Sequence, residues 1–249
     1  MRALILGGTA EARALAERLV GAGWHVTSSL AGRVSEPKLP VGQVRIGGFG
    51  GPAGLARWLL EDATEVIIDA THPFAERIST SAAEAARATG LPLVALHRPQ
   101  WEPVRGDEWL RVPDMAAAAE LARTRFAAPF LTIGRQQLSA FAADPDGRYL
   151  IRCVEQPTGP LPRNRTVMLS RGPFKVPEER KLMRDYAIDC LVTKNSGGDL
   201  TYAKIEAARD LKKPVIMVDR PKLPGAGFAT VTTSVDDAFT AVTRARYLR

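Results

Sequence analysis

The chain has 249 residues, 45% of them apolar, 24% charged and 6% aromatic, which excludes a disordered, collagenous or coiled-coil protein and supplies one large core or two modest ones. No run approaches the ~18 apolar residues of a membrane span, and the opening Met-Arg-Ala-Leu-Ile-Leu-Gly-Gly is too short for a secretory leader, so a cytoplasmic protein with no membrane association is expected. Basic residues exceed acidic ones by 34 to 27, a formal charge of +7, which narrows the partners to nucleic acid, an anionic surface or an acidic small molecule, unless the arginines simply reflect genome composition.

Apolar runs of about five residues alternate with longer segments of helical period, the rhythm of a parallel α/β sheet. A strand over residues 3–7 runs through Gly7-Gly8-Thr9-Ala10-Glu11 into a helix over 11–20. Glycines there let backbone N–H groups approach a phosphate and the helix N-terminus adds favourable partial charge, although a tight turn without ligand reads the same. The second strand, 25–29, lacks the terminal carboxylate that holds a ribose 2′-OH in NAD enzymes. It offers Ser28, Ser29 and Arg33 instead, which suit a 2′-phosphate; Arg33 as a solvated loop residue is the alternative. A strand over 43–46 precedes Gly47-Gly48-Phe49-Gly50-Gly51, where Gly48 and Gly50 either admit a ligand or only turn the chain, and a helix follows over 55–61. Strand 65–70 leads through Thr71-His72-Pro73-Phe74 into helix 75–88, then come strand 92–96 and helix 114–125.

From there the pattern starts again, with strand 129–133, helix 136–142, strands 148–154 and 167–169, helix 177–186 and strand 189–193. The loop Thr193-Lys194-Asn195-Ser196-Gly197-Gly198, helix 200–211, strand 215–218 and helix 234–246 complete it. Laying residues 71–99 over 193–221 makes eight of 29 positions identical, including Glu84-Ala85-Ala86-Arg87 on Glu206-Ala207-Ala208-Arg209 and Arg98-Pro99 on Arg220-Pro221. The reading is a duplicated half and an α/β protein of two Rossmann-like domains, 1–126 and 127–249, whose parallel sheets are flanked by helices with an active cleft between them. Ligands of such sheets bind at the carboxyl ends of strands. That makes Thr71, His72, Pro73 and Phe74, with Asn195, Ser196 and Gly197, cofactor-site candidates beside Gly7, Gly8, Thr9 and Glu11. Two distant cysteines and three scattered histidines provide no metal-ligand spacing, so no metal is expected and the cofactor is organic.

Five motifs in order, Gly-Gly-Thr-Ala-Glu-Ala at 7–12, Gly-Gly-Phe-Gly-Gly at 47–51, Asp-Ala-Thr-His-Pro-Phe-Ala at 69–75, Ser-Arg-Gly-Pro-Phe at 170–174 and Thr-Lys-Asn-Ser-Gly-Gly at 193–198, resemble those of the precorrin-6A reductase family over essentially the whole chain. The resemblance implies reduction of one double bond of the precorrin-6A macrocycle by NADPH (cofactor NADP), giving precorrin-6B during corrin synthesis; a branch of the family acts on the cobalt-containing analogue. The substrate would then be a small tetrapyrrole carrying many carboxylates. The stretch 157–176, with Arg163, Arg165, Arg171 and Lys175 and no acidic residue, suits those carboxylates or is a solvated loop; Arg135 and Lys194 are further anion candidates. For the proton, His72 has a suitable pKa class, with Lys194 and Tyr202 behind it, unless His72 only braces its turn. Rival readings fare less well. No tyrosine is followed four residues later by lysine, as a short-chain reductase requires, and basic residues spread over both halves do not form a nucleic-acid patch. A nucleotide-sugar transferase shares the two-domain plan. A monomer or weak homo-oligomer is expected.

Overall fold

The computed structural model describes residues 1–32 and 38–245. Among the described residues twelve strands form two six-stranded, wholly parallel sheets. In chain order the first part comprises β1 (Arg2–Leu6), α1 (Ala10–Gly21), β2 (His25–Leu30), β3 (Gln43–Ile46), α2 (Pro52–Glu61), β4 (Val66–Asp69), α3 (Glu76–Thr89) and β5 (Leu93–Leu96). Then come β6 (Trp109–Val112), α4 (Met115–Arg125), β7 (Pro129–Leu131), a 3-10 segment over Arg135–Phe141, β8 (Arg148–Cys153), β9 (Asn164–Leu169) and α5 (Val176–Asp185). The chain closes with β10 (Cys190–Lys194), a 3-10 turn over Asp199–Thr201, α6 (Ala203–Asp210), β11 (Val215–Val218), β12 (Thr230–Thr232) and α7 (Val235–Ala245).

The central strands are apolar on both faces because helices cover both faces of a parallel sheet. Leu4, Ile5, Ile67 and Ile68 are wholly buried, each contributing ~1.5–3 kcal/mol. One face of the first sheet packs on α1 through Ala12, Leu15, Ala16 and Leu19 and on α7 through Ala238 and Val242. The other packs on α2 and α3 through Leu55, Leu59, Ala82 and Ala86. Gly90, at φ +72°, ends α3 in the left-handed conformation that a helix C-terminus favours.

The two sheets have one plan. The first runs β12-β5-β4-β1-β2-β3 and the second β6-β11-β10-β7-β8-β9, so advancing every strand number by six turns one into the other except that β6 and β12 have changed places. The duplicated halves have thus exchanged their last strand and helix. The compact units are accordingly Met1–Pro99 with the chain from Pro221 onward, and Gln100–Arg220, a correction to the division at 126/127. Its cause is edge pairing: β6 hydrogen-bonds to β11 and β12 to β5. The repeated Arg-Pro pairs mark the two crossovers. Arg98 donates to both carboxylate oxygens of Glu11 at 3.1 Å, and Arg220 Nε donates to the Asn195 carbonyl at 2.7 Å. Two expected helices also differ: 136–142 is 3-10, and 200–211 opens with a 3-10 turn before α6. Among the described residues no helix is long and apolar enough to cross a membrane.

Candidate functional site

In the first unit the carboxyl ends of β1, β2 and β4 adjoin, because β1 pairs with both neighbours, Leu6 standing opposite Ser29 and Asp69. Thr9 joins two of these ends: its Oγ1 accepts the Ala12 N–H at 3.0 Å, capping α1, and donates to the Ala70 carbonyl at 2.8 Å. Gly7 is needed for close approach, since a Cβ there would lie 3.3 Å from the Ala12 methyl. Gly8 has φ +108° with open space beyond it, so backbone geometry and access to a ligand both favour glycine.

Two shallow hollows flank this glycine turn. One is lined by Gly7, Gly8, Arg13, Ser28, Leu30 and Lys38 among others. The other is lined by Thr9, Glu11, Ala70, Thr71, Pro73, Leu96 and Arg98. They differ in charge. In the second, Glu11 already neutralises Arg98; in the first, glycine, hydroxyl and two cations converge with no carboxylate among the described lining residues. Ser28 is 2% exposed and its Oγ has no hydrogen-bond partner among the described residues. An orphaned buried hydroxyl costs about 1–3 kcal/mol, and a ligand hydroxyl or phosphate at the hollow would satisfy it. These residue types suit the chemistry of the expected dinucleotide, at the place where β1 and β2 of such a sheet hold one. Arg13 and Lys38 are the residues that sequence reasoning missed. Arg13 stands one turn into α1, and Lys38 is the first cation past the Ser28-Ser29 strand end in the described chain. Arg33 lies outside the described residues.

Within the loop after β4, Thr71 donates its hydroxyl to Asp69 Oδ1 at 2.7 Å and its N–H to the same oxygen at 3.1 Å, so Thr71 shapes the turn. His72 Nδ1 accepts the Phe74 N–H at 3.2 Å, which places the hydrogen of the neutral ring on Nε2. Gly48 and Gly50 follow β3, exposed, and the glycine run continues into α2.

The equivalent loops of the second unit are built differently. The Asn195 side chain is committed to one backbone: Oδ1 accepts the Trp101 N–H at 2.8 Å and Nδ2 donates to the Trp101 carbonyl at 3.0 Å. Trp101 Nε1 in turn donates to the Gly198 carbonyl at 3.0 Å. Ser196 and Gly197 are buried beside it, Lys194 ends β10, and the Tyr202 hydroxyl accepts from Arg209 at 2.8 Å. Asn195 and Tyr202 therefore hold the protein's own chain together. Arg135 pairs with Glu155 at 3.0 Å. The basic stretch does not assemble at one rim. Arg163 and Arg165 stand at the amino end of β9, Arg165 donating to the Pro162 carbonyl, whereas Arg171 and Lys175 follow its carboxyl end, about 16 Å away at strand rise. Sequence reasoning did not select Lys204, 4% exposed at the start of α6, with its ammonium 5.6 Å from the Trp101 ring. Burial, and then the nearby charges of Arg152 and Lys194, lower its pKa to about 7 against the opposing pull of Glu179.

The family model described as precorrin-6x reductase CbiJ/CobK matches residues 2–243. The chain is 51% identical over 242 residues to a protein of Rhodococcus erythropolis named precorrin-6A reductase, covering 97% of this chain and 96% of that one. It is 49% identical to one of that name from Mycobacterium tuberculosis, covering 92% and 93%, and 30% identical to a cobalt-precorrin-6A reductase of Priestia megaterium, covering 96% and 97%. A solved structure described as CobK precorrin-6A reductase superposes with a TM-score of 0.91 at 40% identity, covering 98% of this chain and 97% of that one.

Proposed function

The chain belongs to the precorrin-6x reductase family, and from that premise we propose that it reduces one double bond of the metal-free precorrin-6A macrocycle, yielding precorrin-6B in cobalamin biosynthesis, with NADPH as the cofactor. The metal-free substrate is favoured over its cobalt analogue because relatives named for the former are 44–51% identical and those named for the latter 28–30%. The observation that carries the cofactor reading is the buried Ser28 hydroxyl, without a partner among the described residues, between the Gly7-Gly8 turn and the cations Arg13 and Lys38.

When bound, the dihydronicotinamide supplies the hydride. The chain's own work is orientation and electrostatics. Main-chain N–H groups at Gly8 and the start of α1 face the diphosphate, with Thr9 fixing that turn. Ser28, which lines the hollow, faces the ribose beyond it, and Lys38 stands near enough to neutralise an additional phosphate. His72 presents an N–H at Nε2, oriented by the bond that its Nδ1 accepts from Phe74, and we assign it to hold and orient the water that delivers the proton. Arg171, Lys175 and Lys194, at the carboxyl ends of β9 and β10, bind the substrate's carboxylates through charge-assisted hydrogen bonds.

Anaerobic incubation with precorrin-6A and either NADPH or NADH tests the reading. Loss of the reduced-nicotinamide absorbance with precorrin-6A and NADPH, and slower loss with NADH, is expected. An enzyme that consumes NADPH only when the macrocycle holds cobalt would reverse the choice of substrate.

A further inference from the structure

The loop after β3 is held by a residue with no part in the motifs. Arg45, in β3, is registered against Ser29 of β2, which puts the two side chains on the same face of the sheet. Its Nη1 donates to the Gly47 carbonyl at 2.7 Å and its Nη2 to the Gly48 carbonyl, also at 2.7 Å. The guanidinium lies 3.8 Å from the centre of the Phe49 ring, which packs edge-on against Trp58 of α2 at 5.5 Å. One planar fork therefore grips two successive carbonyls while an aromatic face fixes its tilt, a geometry that lysine's single ammonium does not reproduce.

In a trans peptide the carbonyl and the N–H of one unit point in opposite directions. Turning the carbonyls of Gly47 and Gly48 onto Arg45 turns the N–H groups of Gly48 and Phe49 away from it. Gly47 reaches that arrangement at φ +112°. The loop also joins the nucleotide hollow: the Gly47 N–H donates to the carbonyl of Leu30 at 2.9 Å, and Leu30 lines that hollow with the unpartnered Ser28 hydroxyl. Sheet order places β3 one strand beyond β2. In a dinucleotide-binding sheet the adenosine ribose lies at the end of the second strand, so the next loop outward is within reach of what that ribose carries on its 2′ oxygen.

Resting on the cofactor reading above, we propose that Arg45 is a positioning residue for cofactor discrimination. By gripping the Gly47 and Gly48 carbonyls it presents main-chain N–H groups, backed by its own positive charge, to the 2′-phosphate of NADPH.

The test is equilibrium titration of the parent, Arg45→Ala and Arg45→Lys proteins with NADPH and with NADH, without substrate, beside a thermal melt of each. The parent is expected to prefer NADPH. Arg45→Ala should lose about tenfold in NADPH affinity and less than twofold in NADH affinity. Arg45→Lys, which keeps the charge without the fork, should melt with the parent and fall between the two for NADPH. Equal losses for both dinucleotides would reduce Arg45 to a brace of the fold, and unchanged NADPH binding would remove it from the site; either overturns the inference while the cofactor reading stands. A parent that binds both dinucleotides equally overturns that reading and the inference with it.

Discussion

After β1 the chain turns through Gly7-Gly8 into a three-turn α-helix capped by Thr9; after β7, which holds the same place in the second sheet, it turns through Gly134 into a 3-10 segment without a side-chain cap. The next strands diverge further. β2 carries the small Ser28 hydroxyl beside a shallow hollow. Near the end of β8 the Arg152 guanidinium lies 3.7 Å from the Phe174 ring and 5.0 Å from that of Phe130, paired with Glu179 in a site where both side chains are buried. The two units share one backbone plan, and side-chain volume fills in the second the place that stays a shallow hollow in the first. The contrast extends to the helices: the repeat aligns the fully buried Ala82 of α3 with Lys204 of α6, so an ammonium occupies what is a methyl position in the first unit.

The largest effect should come from the filled copy. Arg152→Met leaves Glu179 buried without its partner and should lower stability by about 3–5 kcal/mol, with Arg152→Met/Glu179→Met recovering much of the loss; denaturant titration measures both. A cost below about 1 kcal/mol would mean that the pair does not hold this region together. Next, Gly8→Val should weaken NADPH binding about 30-fold, about 2 kcal/mol. Gly134→Val, at a positive-φ glycine with similarly open surroundings, should leave that affinity within twofold, and equal losses would erase the distinction between the two turns.

Lys204 sharpens the same comparison through pH. Its folded pKa, about 7, lies below the 10.5 of an ordinary lysine, so the folded protein binds this proton less tightly than the unfolded chain does. The destabilisation is complete below pH 7 and fades as pH rises toward 10.5. Lys204→Met should therefore stabilise the protein at pH 6 and do little at pH 10, as denaturant titrations at the two pH values will show; a gain independent of pH would assign it to packing. The smallest expected effect is at the exposed Arg171, where reversal to Glu should raise the KM for the macrocycle about three- to fivefold and leave that for NADPH unchanged, as initial rates with each varied in turn will show.

Ten of the described strands are legible, most of them because their side chains are enclosed between helices; the exposed edge strands β3 and β9 are legible only as short apolar-containing segments. The other two, Trp109–Val112 and Thr230–Thr232, are short and partly exposed at the opposite sheet edges, and they are the pair that the halves exchange. At the candidate site the glycine turn and the hydroxyls of β2 could be read from residue type. The commitment of Asn195 to Trp101 could not, since 94 residues separate them. Nor could the separation of Arg163 and Arg165 from Arg171 and Lys175, which depends on where β9 begins.

Residue order alone determined the alternation of strand and helix, the internal duplication and the glycine turn after β1, because burial period and backbone freedom are local properties of the chain. Tertiary structure decided which edge strand joins which sheet, which polar atoms have partners and which loop keeps a hollow. Those outcomes depend on main-chain hydrogen bonds and packing volumes between segments far apart in the chain, which adjacent residues do not encode.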